Sequence, residues 1–238
     1  MNIRRYMHVS PLMTAGLLLA AGLLTTACGG SFSPTGSTSP NALGPDSAAR
    51  IVPAMQAAFK SANSVHITGT VKAGSQQLSL DVSFQGNNAA GTVNQAGKSY
   101  SVLVAAGKAY VKVNPDFLST ANLPASDCST MCGKYVVIPL AQMSQLSGSF
   151  SLSSIGKQFV NALPSSVTQD SKDTFQPTTF NGQPALKFTQ GRYTIDVASS
   201  GPPYVLYLAD SATGSLTFSQ WNSVPTITPP PAADVISL

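Results

Sequence analysis

Hydrophobic and polar residues alternate with a period of two over most of the chain beyond Val65. The segments QLSLDVSF (residues 77–84) and SYSVLVA (residues 99–105) show this alternation clearly. It is typical of strands with one buried face. About ten such segments occur, separated by turn compositions such as QGNNAAG (residues 85–91) and AAGK (residues 105–108). The pattern predicts an antiparallel meander.

Two segments instead repeat at helical spacing. Asp46 and Ser47 are suited to cap a first helix, and Pro53 predicts that this helix either begins near it or is kinked there. Together with the strands, the two segments predict an α+β fold, in which two or three helices pack on one face of a large antiparallel sheet. The apolar positions are Ile51, Met55, Ala58, Phe59 and Ala62 in the first segment, and Leu152, Ile155, Phe159, Val160 and Leu163, ended by Pro164, in the second.

Residues 1–27 have the layout of an export signal: two arginines, an apolar stretch and three small residues before Cys28. The apolar stretch is too short for a membrane span of about 20 residues. Small residues followed directly by cysteine resemble the lipobox of bacterial lipoproteins, which implies that Cys28 receives diacylglycerol and anchors the chain at the extracytoplasmic face of the membrane. The alternative is an ordinary signal peptide, whose removal leaves a free thiol.

Residues 28–45 are rich in Ser, Thr, Gly and Pro and predict a flexible tether. The body, residues 46–238, is long enough for one sizeable core and is predicted as a single domain.

Charge and composition argue against nucleic-acid binding and against acid–base catalysis. Removal of Arg4 and Arg5 with the signal leaves 11 basic and 9 acidic residues, a formal charge of +2 instead of +4. The lysines form no basic run, which argues against nucleic acid as a partner. All nine acids are Asp, and His66 is the one histidine of the processed chain. So few titratable groups argue against acid–base catalysis and against a cofactor.

The segment CSTMC places Cys128 and Cys132 in one short loop. Zinc requires a third and a fourth ligand, and His66 is the one further candidate of the usual kind. A redox motif usually has two intervening residues instead of three. In an exported chain this spacing favours a disulfide, and no metal site is expected.

Motifs of enzymes are weak. Ser154-Ile155-Gly156-Lys157 matches S-x-x-K, the nucleophile motif of penicillin-binding enzymes, but its S-D-N and K-T-G companions are missing. His66 has neither a Ser nor an Asp partner at a recognisable spacing. A polar helix face and a structural histidine explain both features, and an enzyme is not expected.

The apolar strand and helix positions leave two interpretations open. They are either an ordinary packed core or the lining of an incompletely filled core that holds an apolar ligand. The candidate lining residues are Leu78, Leu80, Val82, Phe84, Val102, Val104, Ile155, Phe159 and Leu163.

The whole chain resembles the actinobacterial lipoproteins of the LppX and LprG type and, more distantly, the LolA lipoprotein carrier. The resemblance lies in an ordered series of short blocks that includes SVHITGTV, LSLDVSFQG, AGKAYVKV, FNGQPALKF and FSQWNSVPTITPPPAADVI. It implies a strongly curved sheet, or half-barrel, around helices, with a cavity for the acyl chains of a lipid or glycolipid that is carried across the envelope. Unlike the general family pattern, this chain has the CSTMC loop. The alternative function is a surface interaction or sensor-accessory module with a filled core.

Overall fold

A computed structural model describes residues 48–73, 75–138, 151–156 and 174–236. Twelve strands form one open sheet in the order β12-β6-β5-β4-β3-β2-β1-β11-β10-β9-β8-β7. The strands are β1 (Ser64–Ala73), β2 (Gln76–Gln85), β3 (Asn88–Gln95), β4 (Lys98–Ala105), β5 (Lys108–Lys112), β6 (Tyr135–Ile138), β7 (Gln176–Phe180), β8 (Gln183–Gln190), β9 (Tyr193–Ala198), β10 (Val205–Asp210), β11 (Gly214–Ser219) and β12 (Val235–Ile236).

The predicted class, a large sheet with few helices, is confirmed. Strands β1 to β6 and β7 to β10 pair antiparallel with their neighbours in sequence, and β1 pairs antiparallel with β11. The exception is β12, which pairs in parallel with β6 and makes the sheet mixed. The described residues contain twelve strands instead of about ten, because the sequence pattern missed β3 and β12.

Strand β3 occupies a segment that the composition predicts as a turn. Asn88 pairs with β2, residues 89–91 pair with both β2 and β4, and the turn is confined to Gly86 and Asn87. Gly91 is required here for space, because a Cβ atom at this position would collide with the backbone carbonyl oxygen of Asp81. Glycine inside a strand often marks such a close approach of two backbones.

Helix α1 (Ala48–Ser61) contains Pro53 in its interior, so it does not begin there. Its buried residues include Ile51, Met55, Ala58 and Phe59, as the helical spacing predicts, whereas Asp46 and Ser47 lie outside the described residues. The helices α2 (Pro115–Thr120) and α3 (Cys128–Met131) and the 3₁₀ turns Ala125–Asp127 and Ala232–Asp234 are short. Residues 152–156 are also helical and are named α4; the described residues of this segment stop at 156.

The chain divides into two compact units. Unit 1 contains Ala62–Ile155 and Thr213–Leu238, and unit 2 contains α1 and Gly156–Ala212. In unit 2 the rings of Phe175 and Phe188 pack at 5.1 Å between centroids, within a buried core. The expectation that residues 46–238 form a single domain stays a prediction.

In unit 1 the residues that follow β11 form a strap (220–236) across the sheet. The side chains of Val224 and Ile227 are buried against Ala90, Leu103 and Ala105. The backbone N–H of Ile227 donates to Gln85 Oε1 (3.1 Å), and that of Val224 donates to Ser64 Oγ (3.2 Å). The strap ends in β12 at the edge of β6, and so it both covers part of the sheet and protects one edge.

Candidate functional site

The sheet of unit 1 carries an apolar face that crosses seven strands, from β11 through β1 to β6. Directly opposed residues in an antiparallel pair lie on the same face, so the register defines rows of side chains. The first row contains Phe218, Ile67, Val82, Gly91, Val102, Val111 and Val136, and the second contains Val65, Phe84, Ala89, Val104, Ala109 and Ile138.

Six of the nine predicted lining residues lie on this apolar face. They are the residues of β2 and β4, namely Leu78, Leu80, Val82, Phe84, Val102 and Val104. Ile155 is half-buried in α4, and Phe159 and Leu163 lie outside the described residues. The role of these nine residues as ligand contacts stays a prediction.

Burial changes along the apolar face. Val82, Phe84 and Val104 are buried, whereas Leu78 and Leu80 are half-buried. The row through Leu80 is half-buried throughout and contains Leu216, Gly69, Leu80, Val93 and Tyr100. This end of the face is therefore its accessible part.

Several apolar residues of β1, β5 and β11 belong to the same face and were not predicted as site residues. Ile67, Val111 and Phe218 are examples. Their segments show the alternation of strands, but alternation alone does not say which neighbours share a face. That information lies in the register.

A disulfide loop (114–132) packs on the β4–β6 part of the apolar face. Its neck is closed by two hydrogen bonds, from Val113 N–H to the carbonyl of Lys134 (2.8 Å) and from Gly133 N–H to the carbonyl of Val113 (2.9 Å). The core that it shares with the sheet contains Val111, Val113 and Val136 together with Leu118 of the loop itself, with Val102, Phe117, Leu123, Cys128, Met131, Cys132, Ile138 and Ile236 packed around them. Val102 therefore contacts protein side chains here.

The predicted disulfide between Cys128 and Cys132 is confirmed. Its two Cα atoms are 4.6 Å apart, and it closes the single turn of α3. Both cysteines are partly exposed at the rim of the core beneath the loop.

A cleft of about 460 Å³ lies where the β1–β2 and β3–β4 hairpins end. Its lining is neutral and contains Ser75, Gln76, Gln77, Ser79, Asn94, Gln95, Ala96 and Gly97. Gln95 Nε2 donates to Gln76 Oε1 at 2.6 Å. None of the predicted lining residues lines this cleft.

The opposite, polar face of the same strands brings His66 between an acid and a hydroxyl. Its Nε2 lies 2.8 Å from Asp81 Oδ1, and its Nδ1 lies 3.4 Å from Ser219 Oγ. Sequence spacing gave no such partners, because they come from β2 and β11 through strand pairing. The Asp81 side chain is 70% exposed and the serine contact is long, so the arrangement satisfies a structural histidine and lacks the buried acid of a catalytic triad.

The S-x-x-K match is described in part. Ser154 lies in α4, where its Oγ accepts a hydrogen bond from Ser151 Oγ (2.8 Å), and Lys157 lies outside the described residues. The described part of the chain contains no group of three or more His, Cys, Asp or Glu residues arranged to hold a metal ion. Among the described helices, none has the length and apolar character needed to cross a bilayer. Cys28 lies outside the described residues.

Among the described residues of unit 2 one acid is buried, Asp196 of β9, which is 2% exposed. Its Oδ1 lies 3.9 Å from Lys187 Nζ and, within the described residues, accepts no hydrogen bond. Burial raises the pKa of the Asp196 carboxyl above its ordinary value, and the nearby Lys187 ammonium opposes this only in part. The folded state of unit 2 therefore bears a cost for holding this carboxylate charged.

Replacing Asp196 by Asn is expected to increase the stability at pH 7, by on the order of 1 kcal/mol, because it removes a poorly compensated buried charge. The folded-state pKa is raised, so the wild type should lose stability as the pH rises from the unfolded-state value through the folded-state value. Urea unfolding between pH 4 and pH 8 should show this loss for the wild type and a flatter profile for D196N. The exposed Asp234→Asn is the control; a pH profile of D196N equal to that of the wild type contradicts the prediction.

Comparison with solved structures identifies the fold. The chain is similar to LprF from Mycobacterium bovis, with a TM-score of 0.51 and 18% sequence identity over 79% of this chain and 99% of LprF. The chain has the fold of LprF. The lipoprotein LppX from Mycobacterium tuberculosis aligns with a TM-score of 0.45 and 14% identity, over 76% of this chain and 97% of LppX. No family model and no curated protein matches the sequence.

The likeness to LprF is one of fold. It confirms the expectation, drawn from the resemblance of short sequence blocks, that the body of the chain folds as a large sheet with a few helices. At 18% identity it says nothing of a ligand, which depends on the side chains of the apolar face of this chain.

Proposed function

We propose that this protein is a membrane-anchored lipoprotein that binds a lipid or glycolipid on the apolar face of unit 1 and carries it within the cell envelope. The observation that supports this best is the continuity of the apolar face over seven strands, with an accessible end at Leu78 and Leu80. Each methylene removed from water contributes about 0.8 kcal/mol, so an acyl chain of about twelve methylenes gains roughly 10 kcal/mol before ordering costs.

The sequence supports the membrane anchor. The lipobox-like residues before Cys28 and the tether that follows place the body close to a bilayer, where lipids are available. Two or more acyl chains on Cys28 would hold the protein stably, whereas one chain gives marginal binding. A binding function without catalysis agrees with the exposed acid and the long serine contact of the His66 group.

A second function is favoured by one specific observation. The disulfide loop covers the β4–β6 part of the apolar face with its own side chains, including those around Val102. If the whole face is covered in this way, the protein is a surface interaction or sensor-accessory module with a filled core.

Mass spectrometry of the processed protein, purified from a bacterial membrane, tests both parts of the proposal. Under native conditions we expect a co-purified lipid, and after digestion we expect the peptide that begins at Cys28 to carry diacylglycerol. Recovery of no lipid, together with no uptake of a fluorescent fatty acid, would rule out the ligand and leave the second function. An unmodified Cys28 would rule out the anchor alone.

A substitution on the apolar face should weaken binding of the fluorescent fatty acid. Leu80→Gln places an amide at the accessible end of the face, and the lost apolar contact of about 1.5–3 kcal/mol corresponds to a dissociation constant at least about tenfold higher. The control is Thr92→Gln, on the polar face, opposite Asp81. Equal affinity of the two variants would mean that the ligand does not contact this face.

A further inference from the structure

The disulfide loop consists of two halves that are attached to the sheet in different ways. The first half, α2, is hydrogen-bonded to β4. Asn114 Nδ2 donates to the carbonyl of Ser99 (2.8 Å), Asp116 Oδ2 accepts from the N–H of Ser99 (2.8 Å), and the hydroxyl oxygens of Tyr100 and Thr120 are 2.9 Å apart. The side chain of Asn114 also caps α2 by accepting from the N–H of Phe117 (2.8 Å). This half is fixed by directional bonds.

The second half, which we name the flap (124–132), packs through apolar contacts on a cluster formed by Val111, Val113 and Val136 of the sheet region and Leu118 of α2. Within the described chain its hydrogen bonds stay inside the flap or reach its neck; examples are Ser129 Oγ to the carbonyl of Ser126 (2.9 Å) and Cys132 N–H to the carbonyl of Cys128 (3.1 Å). Cys128, Met131 and Cys132 supply its contacts with the core beneath. Lifting the flap therefore breaks no hydrogen bond to a strand.

We propose that the flap is a displaceable lid, and that one acyl chain of the bound lipid takes its place on Val111, Val113 and Val136. This inference rests on the proposed function, and it assigns to the flap the control of lipid access to the apolar face. The contacts that the flap gives up are apolar and non-directional, so an acyl chain can replace them without leaving a buried polar group unpaired. The closed neck at Val113 lets the flap move while β5 and β6 stay paired.

The disulfide keeps the flap compact while it moves. The disulfide closes α3 into one covalent ring, which prevents the flap from opening by partial unfolding. The flap therefore lifts as one body, and it opens less often than a segment without a disulfide would. Cys128→Ser together with Cys132→Ser should therefore open the lid more often. Met131→Ala, which keeps the disulfide, should have the same effect because it weakens the apolar contact.

Stopped-flow uptake of a fluorescent fatty acid by the processed protein, combined with hydrogen exchange, tests the lid. For both C128S/C132S and M131A we expect uptake about five- to tenfold faster, while the paired amides of β5 and β6 exchange at the wild-type rate because lifting the flap breaks none of their hydrogen bonds. The matched control is Ser126→Ala, at an exposed flap position, which should leave both rates unchanged.

The results separate the lid from the function on which it rests. Equal uptake rates in the wild type and both flap variants overturn the lid and leave lipid binding intact. Faster exchange of the paired amides of β5 and β6, or of those of β8 and β9, also overturns it, because it shows general destabilisation instead of movement of the flap alone. Absence of uptake by every protein, the wild type included, overturns the proposed function and the lid with it.

Discussion

Deletion of residues 221–238 is expected to leave unit 1 without a stable fold. The strap buries Val224 and Ile227, and burial of each side chain is worth about 1.5–3 kcal/mol. Its hydrogen bonds to Gln85 and Ser64 add about 1 kcal/mol each. The total of roughly 5 kcal/mol or more is comparable with the whole stability of many domains. Removal of β12 also leaves the edge of β6 unprotected, which favours aggregation.

Circular dichroism of the truncated protein should show that cooperative unfolding is lost, and size-exclusion chromatography should show that the protein aggregates. A milder pair of variants distinguishes packing from chain length. V224A/I227A should lose about 2–4 kcal/mol in urea unfolding, whereas T226A/T228A, at exposed strap positions, should stay within about 0.5 kcal/mol of the wild type. A truncated protein with the wild-type urea midpoint would show that the strap is dispensable.

Gly91→Ala is expected to destabilise the protein by about 3 kcal/mol or more, a large effect for a single methyl group. The added Cβ would overlap the carbonyl oxygen of Asp81 and press against the Cα of Val82, and backbone atoms cannot move aside as a flexible side chain can. Relief requires β2 and β3 to separate, at the centre of the row that contains Val82 and Val102. Urea unfolding measures the loss, and binding of the fluorescent fatty acid should weaken in parallel.

Gly97→Ala is the matched control for this prediction. Gly97 has a φ of +76°, so alanine there bears the cost of a left-handed backbone, about 1–2 kcal/mol, but its Cβ meets nothing within 4 Å. If the two variants lose the same stability, backbone strain alone accounts for the cost of replacing glycine by alanine, and the close approach of the strands at Gly91 is unimportant.

Much of the fold was predictable because local patterns are strong in this chain. The alternation in residues 77–84 and the spacing of Ile51, Met55 and Phe59 correspond to β2 and α1. Strand β3 was missed because Asn, Ala and Gly are weak strand formers, and it is held in the sheet by pairing on both sides. Strand β12 has two residues, too few for a period to be visible.

The candidate site was predictable in part. Side chains two residues apart on one strand share a face, so the sequence alone groups every second residue of β2, namely Leu78, Leu80, Val82 and Phe84. Their neighbours Ile67 and Phe218 could not be added, because that requires the pairing of β1 with β2 and β11. The packing of the disulfide loop on Val111 and Val136 is a contact between distant segments that no local pattern reveals.

The sequence by itself determined ten of the strands and the first helix, the small number of titratable groups, and the closeness of Cys128 and Cys132, since each depends on residues near one another in the chain. The tertiary structure alone decided which strands share the apolar face, that Asp81 and Ser219 flank His66, and that the strap and the disulfide loop cover parts of the sheet. The physical reason is that register and packing are set by the burial of apolar area summed over many distant residues, whereas period and spacing are properties of a single segment.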